Sequence, residues 1–222
     1  MKTDAIPARD EVLRRIRTAL GSTSTDRELI ESHWAGINRN YRRRGELARP
    51  AMLDELEDRL RDYDAHVERT GLADLTGKIG ELLRARGVHR LVIPAGLSDS
   101  LGVPLPDGID FVTDHALSAV ELDRMDGVMT GCTVAIAQTG TLILQNVTGQ
   151  GRRAPTLVPD YHLCVVREDD VVETVPEAFA RLQPTATLAT TFISGPSATA
   201  DIEMTRIKGV HGPRFLDVIL VW

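Results

Sequence analysis

The sequence predicts an α/β protein, with a mostly parallel sheet covered by helices and an N-terminal helical extension. Three observations carry that expectation. Apolar residues recur at helical spacing through the first half of the 222-residue chain, whereas short apolar runs punctuated by glycine and proline dominate the second. Aromatic residues make up only 4% of the chain, so Leu, Val, Ile and Ala must fill the space between sheet and helices.

The first helix follows Pro7: Val12, Leu13, Ile16 and Leu20 share a face, and Gly21–Ser22–Thr23–Ser24 supplies the stop. Gly21 to Pro50 is polar, holds the run Arg39–Asn40–Tyr41–Arg42–Arg43–Arg44, and reads as a long connector. Residues 1–49 are therefore expected to form an N-terminal helix and basic connector arm, and residues 50–222 the main domain. In that domain Leu53, Leu56, Leu60 and Tyr63 mark a second helix and Ala65 to Arg69 a candidate strand. Leu75, Ile79, Leu82 and Leu83 mark a third helix between Asp74 and Gly87. Leu91–Val92–Ile93, stopped by Pro94, is a continuous apolar run of the kind covered on both faces in a parallel sheet. Further strands are expected at Phe111–Thr113, Cys132–Ala137, Thr141–Gln145, Leu163–Val166, Thr191–Ser194 and Phe215–Val221, with a helix at Pro176–Leu182.

Composition excludes several classes of function. A net charge of −6 repels polyanions, so neither nucleic acid nor an anionic membrane is an expected partner, and the Arg39–Arg44 run is read as an interaction or lid segment. No apolar run approaches the ~20 residues of a membrane helix and no leader-type apolar stretch follows Met1, which points to the cytoplasm. Cys132 and Cys164 sit apart in apolar segments and spell neither a disulfide framework nor an iron–sulfur motif; they are expected to be buried thiols. The six histidines show no metal-ligand spacing. Gly149, Gly151 and Ala154 satisfy G-x-G-x-x-A, yet Pro155 follows where a dinucleotide site needs a helix to open, and Gly77–Lys78 lacks the hydroxyl residue of a phosphate loop. No cofactor and no metal are expected.

Three segments of the C-terminal half carry a resemblance. The first runs from Thr130 through Gly131–Cys132–Thr133 to Gln138–Thr139–Gly140–Thr141. The second is Gly151–Arg152–Arg153–Ala154 leading into Leu157–Val158–Pro159–Asp160–Tyr161–His162, and the third is Phe192–Ile193–Ser194–Gly195–Pro196–Ser197–Ala198–Thr199–Ala200–Asp201–Ile202–Glu203, followed by Gly209–Val210–His211–Gly212–Pro213–Arg214. In this order the segments resemble the LUD domain, and with the N-terminal helix and arginine-rich connector the chain resembles the lactate-utilization protein C family. The resemblance implies a fold similar to the NagB, RpiA and CoA-transferase group. It also implies a non-redox part in oxidising L-lactate to pyruvate beside iron–sulfur lactate-utilization proteins A and B. Many members resemble one another in having Glu where this chain has Gln138, and the swap removes a charge and a candidate acid/base group.

Fold does not establish chemistry, so the site is read from side chains. Thr139–Gly140–Thr141 joins two strands and is either a tight turn or a donor-rich loop for an anion. Arg152 and Arg153 follow a glycine-containing loop where a guanidinium binds a carboxylate or phosphate, or is simply solvated. Ser194, Gly195 and Ser197 follow a strand end, where hydroxyls and amides either cap a following helix or receive an anion. His211 and Arg214 lie in a glycine-bounded loop able to face a site. Gln138, Asp160, His162, Asp201 and Glu203 are secondary candidates. The expectation is that Thr139, Thr141, Arg153, Ser194, Ser197 and His211 converge on one cleft beyond the carboxyl ends of the strands and hold a small anionic metabolite. An independent isomerase or acyl/CoA-transferase-like enzyme, or a regulatory ligand-binding protein, stays open beside the lactate reading.

Overall fold

The computed structural model describes residues 8–20, 27–199, 207–209 and 211–222, and the chain forms two compact units, Met1–Tyr41 and Arg42–Trp222. The first contains α1 (Ala8–Ala19) and α2 (Arg27–Gly36). In α1, Glu11 bonds both Arg14 and Arg15 on the exposed side. The expected Pro7 start and Gly21–Ser24 stop lie outside the described residues. Helix α2 corrects the reading of 21–50 as connector: Ile30, Trp34 and Ile37 do recur at helical spacing, but charged and polar neighbours hide the pattern.

The second unit runs α3 (Arg49–Asp62), β1 (His66–Thr70), α4 (Leu75–Ala85), β2 (Arg90–Ile93), α5 (Leu97–Leu101), β3 (Asp110–Thr113), α6 (Ala119–Leu122), β4 (Gly127–Thr130), β5 (Val134–Ile136) and β6 (Thr141–Gln145). It continues through β7 (Tyr161–Arg167), β8 (Val171–Val172), α7 (Val175–Leu182), β9 (Thr190–Ile193), β10 (Ala198–Thr199), β11 (Ile207–Lys208) and β12 (Phe215–Val221). Six strands in the order β1-β12-β7-β4-β2-β3 make one sheet, every neighbouring pair parallel. A second sheet, β8-β5-β6-β9, is mixed, with β6 antiparallel to both β5 and β9. β10 and β11 pair antiparallel as a separate two-stranded sheet. The mostly parallel sheet with helical cover is therefore observed, and the smaller mixed sheet is an addition to it.

Alternation along β7 and β12 explains the layering, because successive side chains of a strand face opposite sides. Cys164, Val166, Val218 and Leu220 join Leu53, Leu56 and Leu60 of α3 and Leu142 and Leu144 of the small sheet in one core. Leu163, Val165, Ile219 and Val221 join Ile79, Leu82 and Leu83 of α4 and Leu97 and Leu101 of α5 in the core behind the sheet. The far face of the small sheet, with Val134, Ile136 and Ile143, packs on Ala178 and Leu182 of α7. Both cysteines are buried as expected, and burial raises the Cys132 thiol pKa.

Two charged groups are built into these layers. Asp217 of β12 is 1% exposed and accepts two bonds from Arg86, at 2.5 and 3.1 Å, and one from the Tyr161 hydroxyl at 3.1 Å. Arg86 also lies over the rings of Tyr161 and Phe215, so its guanidinium packs on aromatic faces while a third of the side chain stays exposed. Glu173 is likewise buried: it accepts from Arg42 at 2.7 Å and from the backbone N–H groups of Glu46 and Leu47 at 2.5 and 2.7 Å. The segment 42–47 is thereby strapped onto the start of α7, and Gly45 packs so tightly on Glu173 that a Cβ has no space there.

Removing one partner of a fully buried ion pair costs about 3–5 kcal/mol, and because Arg86 keeps access to water the loss here falls at or below the lower end of that range. Asp217→Ala should therefore lower the denaturant midpoint by the equivalent of about 3 kcal/mol, and Asp217→Asn, which keeps an acceptor for Tyr161, should recover part of that loss. Urea unfolding followed by circular dichroism checks both, and a loss below about 1 kcal/mol for the alanine variant would contradict the role given to this pair.

Candidate functional site

The parallel register of β7 and β12 sets His162 opposite Leu216. The chain entering β7 brings Arg153 and Thr156, and the chain entering β12 brings His211, Gly212 and Pro213. These face the segment that leaves β9, Ser194–Gly195–Pro196–Ser197, and enclose a cavity of about 280 Å³ floored by Phe192, Ile193 and Leu216. Arg153, Ser194, Ser197 and His211, expected to converge, do line one cavity. Its position differs from the expectation, because it opens at the amino ends of β7 and β12 and only at the carboxyl end of β9. The physical reason lies in the connections, since the long loops before β7 and β12 carry the polar residues and both enter the sheet from that side.

Thr139 and Thr141 stand behind this wall. Thr139 Oγ1 and Thr141 Oγ1 are 2.7 Å apart, and Thr141 Oγ1 is 2.8 Å from Ser194 Oγ, so a chain of hydroxyls fixes the serine that faces the cavity. Gly140, at φ +57°, makes the turn that brings the threonines together, close against the backbone of Arg59. Gly195, at φ +81°, turns the chain against Tyr63. Of the segment after Ser197, the described residues Ala198–Thr199 form β10 rather than the start of a helix. Asp201 and Glu203 lie outside the described residues.

The arginines separate by their partners. Arg152 is held by Asp114 through bonds of 2.7 and 2.8 Å and by the Leu117 carbonyl at 2.6 Å, and its guanidinium lowers the Asp114 pKa. Arg214 pairs with Asp160 on the surface, away from the cavity lining. Arg153 differs from both. Its Nη1 donates to the Thr156 carbonyl at 3.0 Å and hydroxyl at 2.7 Å, and among the described residues no carboxylate pairs with it. Partial desolvation lowers its pKa, yet a guanidinium stays cationic at any physiological pH.

His162 belongs to the site more than its secondary place suggested. It lies in β7, is 1% exposed, and places Nε2 2.8 Å from Thr130 Oγ1. Burial, and then the charge of Arg153, push its pKa down to about 3, so it offers the cavity a neutral imidazole. His211 is exposed in its loop, its backbone N–H donating to Ser197 Oγ at 3.1 Å. Gln138 is exposed, donates its backbone N–H to the Glu173 carbonyl at 3.0 Å, and does not line the cavity.

Thr156 and Phe192 escaped the sequence reading. Thr156 sits three residues after Arg153, a spacing that fits a side chain closing back on the same short 3-10 turn. Phe192 is one of four phenylalanines, half exposed on a strand and stacked on Phe179 at 6.0 Å; an outward aromatic among threonines was the available signal. Among the described residues no group of three or more His, Cys, Asp or Glu is placed to hold a metal, and no helix is long and apolar enough to cross a membrane.

Residues 118–221 match the model of the LUD domain. A lactate utilization protein C from Deinococcus radiodurans is 45% identical over 181 residues, spanning 79% of this chain and 82% of that protein. Another lactate utilization protein C, from a Geobacillus species, is 24% identical over 244 residues, with 100% and 98% of the two chains covered. A crystal structure of a DUF162 family protein from Deinococcus radiodurans superposes with a TM-score of 0.67 at 41% identity, covering 80% of this chain and 100% of that one.

The buried imidazole makes stability depend on pH in a defined direction. In the unfolded chain it takes a proton below about pH 6.5, whereas in the fold it stays neutral until about pH 3. The stability tied to it is therefore complete above pH 6.5 and is lost as pH falls toward 3, on the order of 1 kcal/mol per unit. Denaturation between about pH 7 and pH 4 should show a steeper loss for the unmodified chain than for His162→Gln; parallel slopes would show that the imidazole protonates in place.

Proposed function

Because the chain belongs to the lactate utilization protein C family of LUD-domain proteins, we propose that it is a non-redox component of L-lactate utilization that binds a small carboxylate in the cavity at Arg153. The observation that supports this reading is the pairing of the arginines. Arg152 and Arg214 are each neutralised by an aspartate, whereas among the described residues the cation facing the cavity is held by neutral oxygens and so retains N–H groups for a ligand. A guanidinium accepts a carboxylate in bidentate fashion. Ser194, Ser197 and His211 add donors around it, and Phe192 and Leu216 suit the apolar part of a small organic acid.

Oxidation itself is assigned in this reading to the iron–sulfur partner proteins A and B. This chain would hold substrate or product for that system. Among the described residues no Asp or Glu lines the cavity, and position 138 is a glutamine outside it.

Isothermal titration of the purified chain with L-lactate and pyruvate tests the site directly. Arg153→Ala should weaken binding about tenfold or more, given ~1.5–3 kcal/mol for a hydrogen bond to a charged group, whereas Asp160→Asn should change it less than threefold. Unaltered affinity in Arg153→Ala would remove the carboxylate reading. In the native host, a clean deletion should impair growth on L-lactate and spare growth on pyruvate; equal growth on both would remove the pathway assignment.

A further inference from the structure

Arg153 and Thr156 also line a second, smaller cavity of about 90 Å³, with Gln145, Asn146, Gln150 and Gly151 on its other sides. Since these two residues border both spaces, the guanidinium stands at the boundary between them. A water occupies roughly 30 Å³ in the liquid, so the second space admits a group of a few heavy atoms.

Its chemistry differs from that of the first. Arg152, its other cation, is already engaged by Asp114 and the Leu117 carbonyl. Gln145 is buried and its amide is complete: Nε2 donates to the Thr185 carbonyl and Thr190 Oγ1, and Oε1 accepts from Thr185 Oγ1. Gln150 is not complete. Its Oε1 accepts from Thr133 Oγ1 at 2.7 Å and from the Gln145 N–H at 2.8 Å, which fixes the amide, while among the described residues no acceptor meets its Nε2. Asn146 adds an exposed amide whose backbone N–H alone is engaged, by the Ala189 carbonyl. Apart from Arg153, which it shares with the first, the second cavity therefore presents the Gln150 and Asn146 amides beside Leu144, Ala189 and Thr191, and no cation without a carboxylate partner. It suits a hydroxyl, carbonyl or amide and disfavours a second carboxylate, which would be desolvated without a counter-charge.

We infer that the site is bipartite, and that its ligand is a carboxylate bearing a neutral hydrogen-bonding arm that reaches past Arg153 to Gln150 and Asn146. The inference rests on the carboxylate reading above and adds the other half of the ligand. It also gives Gln150 a role in selection: held by Thr133, the amide is preorganised, and a polar arm gains its hydrogen bonds at little entropic cost.

The test is calorimetric titration of the full chain with propionate, pentanoate and N-acetylglycine, the last two equal in length and different in the polarity of the arm. N-acetylglycine should bind about fivefold or more tighter than pentanoate, as one or two net hydrogen bonds imply. Ala189→Leu, which fills the second cavity from an exposed position, should bring N-acetylglycine down to the affinity of pentanoate, and Asn146→Ala should cause a smaller loss in the same sense. Equal binding of the two long probes, or an undiminished preference in Ala189→Leu, overturns the bipartite site; if Arg153→Ala still weakens all three, the carboxylate reading stands alone. If none of the probes binds, or Arg153→Ala changes nothing, both readings fall.

Discussion

The parallel pairing of β7 with β12 is the constraint on which the rest of the second unit depends. Its seven-residue register, from Phe215 opposite Tyr161 to Val221 opposite Arg167, runs through the middle of the sheet and feeds both large cores. A one-residue slip would exchange the faces of every side chain on one strand, moving Val218 and Leu220 out of the core shared with α3 and placing Asp217 among leucines. The same register aligns two loops that are distant in sequence. Arg153 and His211 share a cavity because the strands they precede are neighbours.

Charge is handled in the fold by pairing it where it is structural and leaving it open where a ligand can complete it. Asp217 and Glu173 are buried with several donors each, and Asp114 takes up Arg152. Such groups tie elements together without offering chemistry. Arg153 and His162 follow another logic: one is a cation held by neutral oxygens, the other an imidazole that desolvation keeps neutral. A cationic fork next to a neutral ring and two serine hydroxyls favours binding an anion over moving protons.

Most strands and four of the seven described helices were legible because their apolar periods are plain: Leu75–Leu83, Leu91–Ile93 and Phe215–Val221 are each where the pattern places them, whereas β8, β10, β11, α5 and α6 are too short to show a period. Strand β4 was missed, since Gly127–Val128–Met129–Thr130 is only four residues with no turn signal before the next run. Helix α2 was hidden by its charges. At the site, Ser194, Ser197, Arg153 and His211 were legible from residue type and loop context. Which arginine is open to a ligand was not, because Asp114 reaches Arg152 across 38 residues and no local pattern reports it. His162 was underrated for a related reason: its depth is set by β4 and β12 on either side, a property of strand order rather than of its neighbours in sequence.

That strand order has a consequence for how the molecule is made. β1 and β7 are separated by β12, which follows both in synthesis, so β1 has no sheet partner to join until residues 215–221 have been translated. Up to that moment a growing polypeptide exposes two unpaired strand edges, the kind of surface that recruits chaperones or drives aggregation. A nascent chain stalled shortly before Phe215 would thus carry nearly all of the sequence yet lack the piece that joins the sheet, and quality-control machinery should treat it as unfolded.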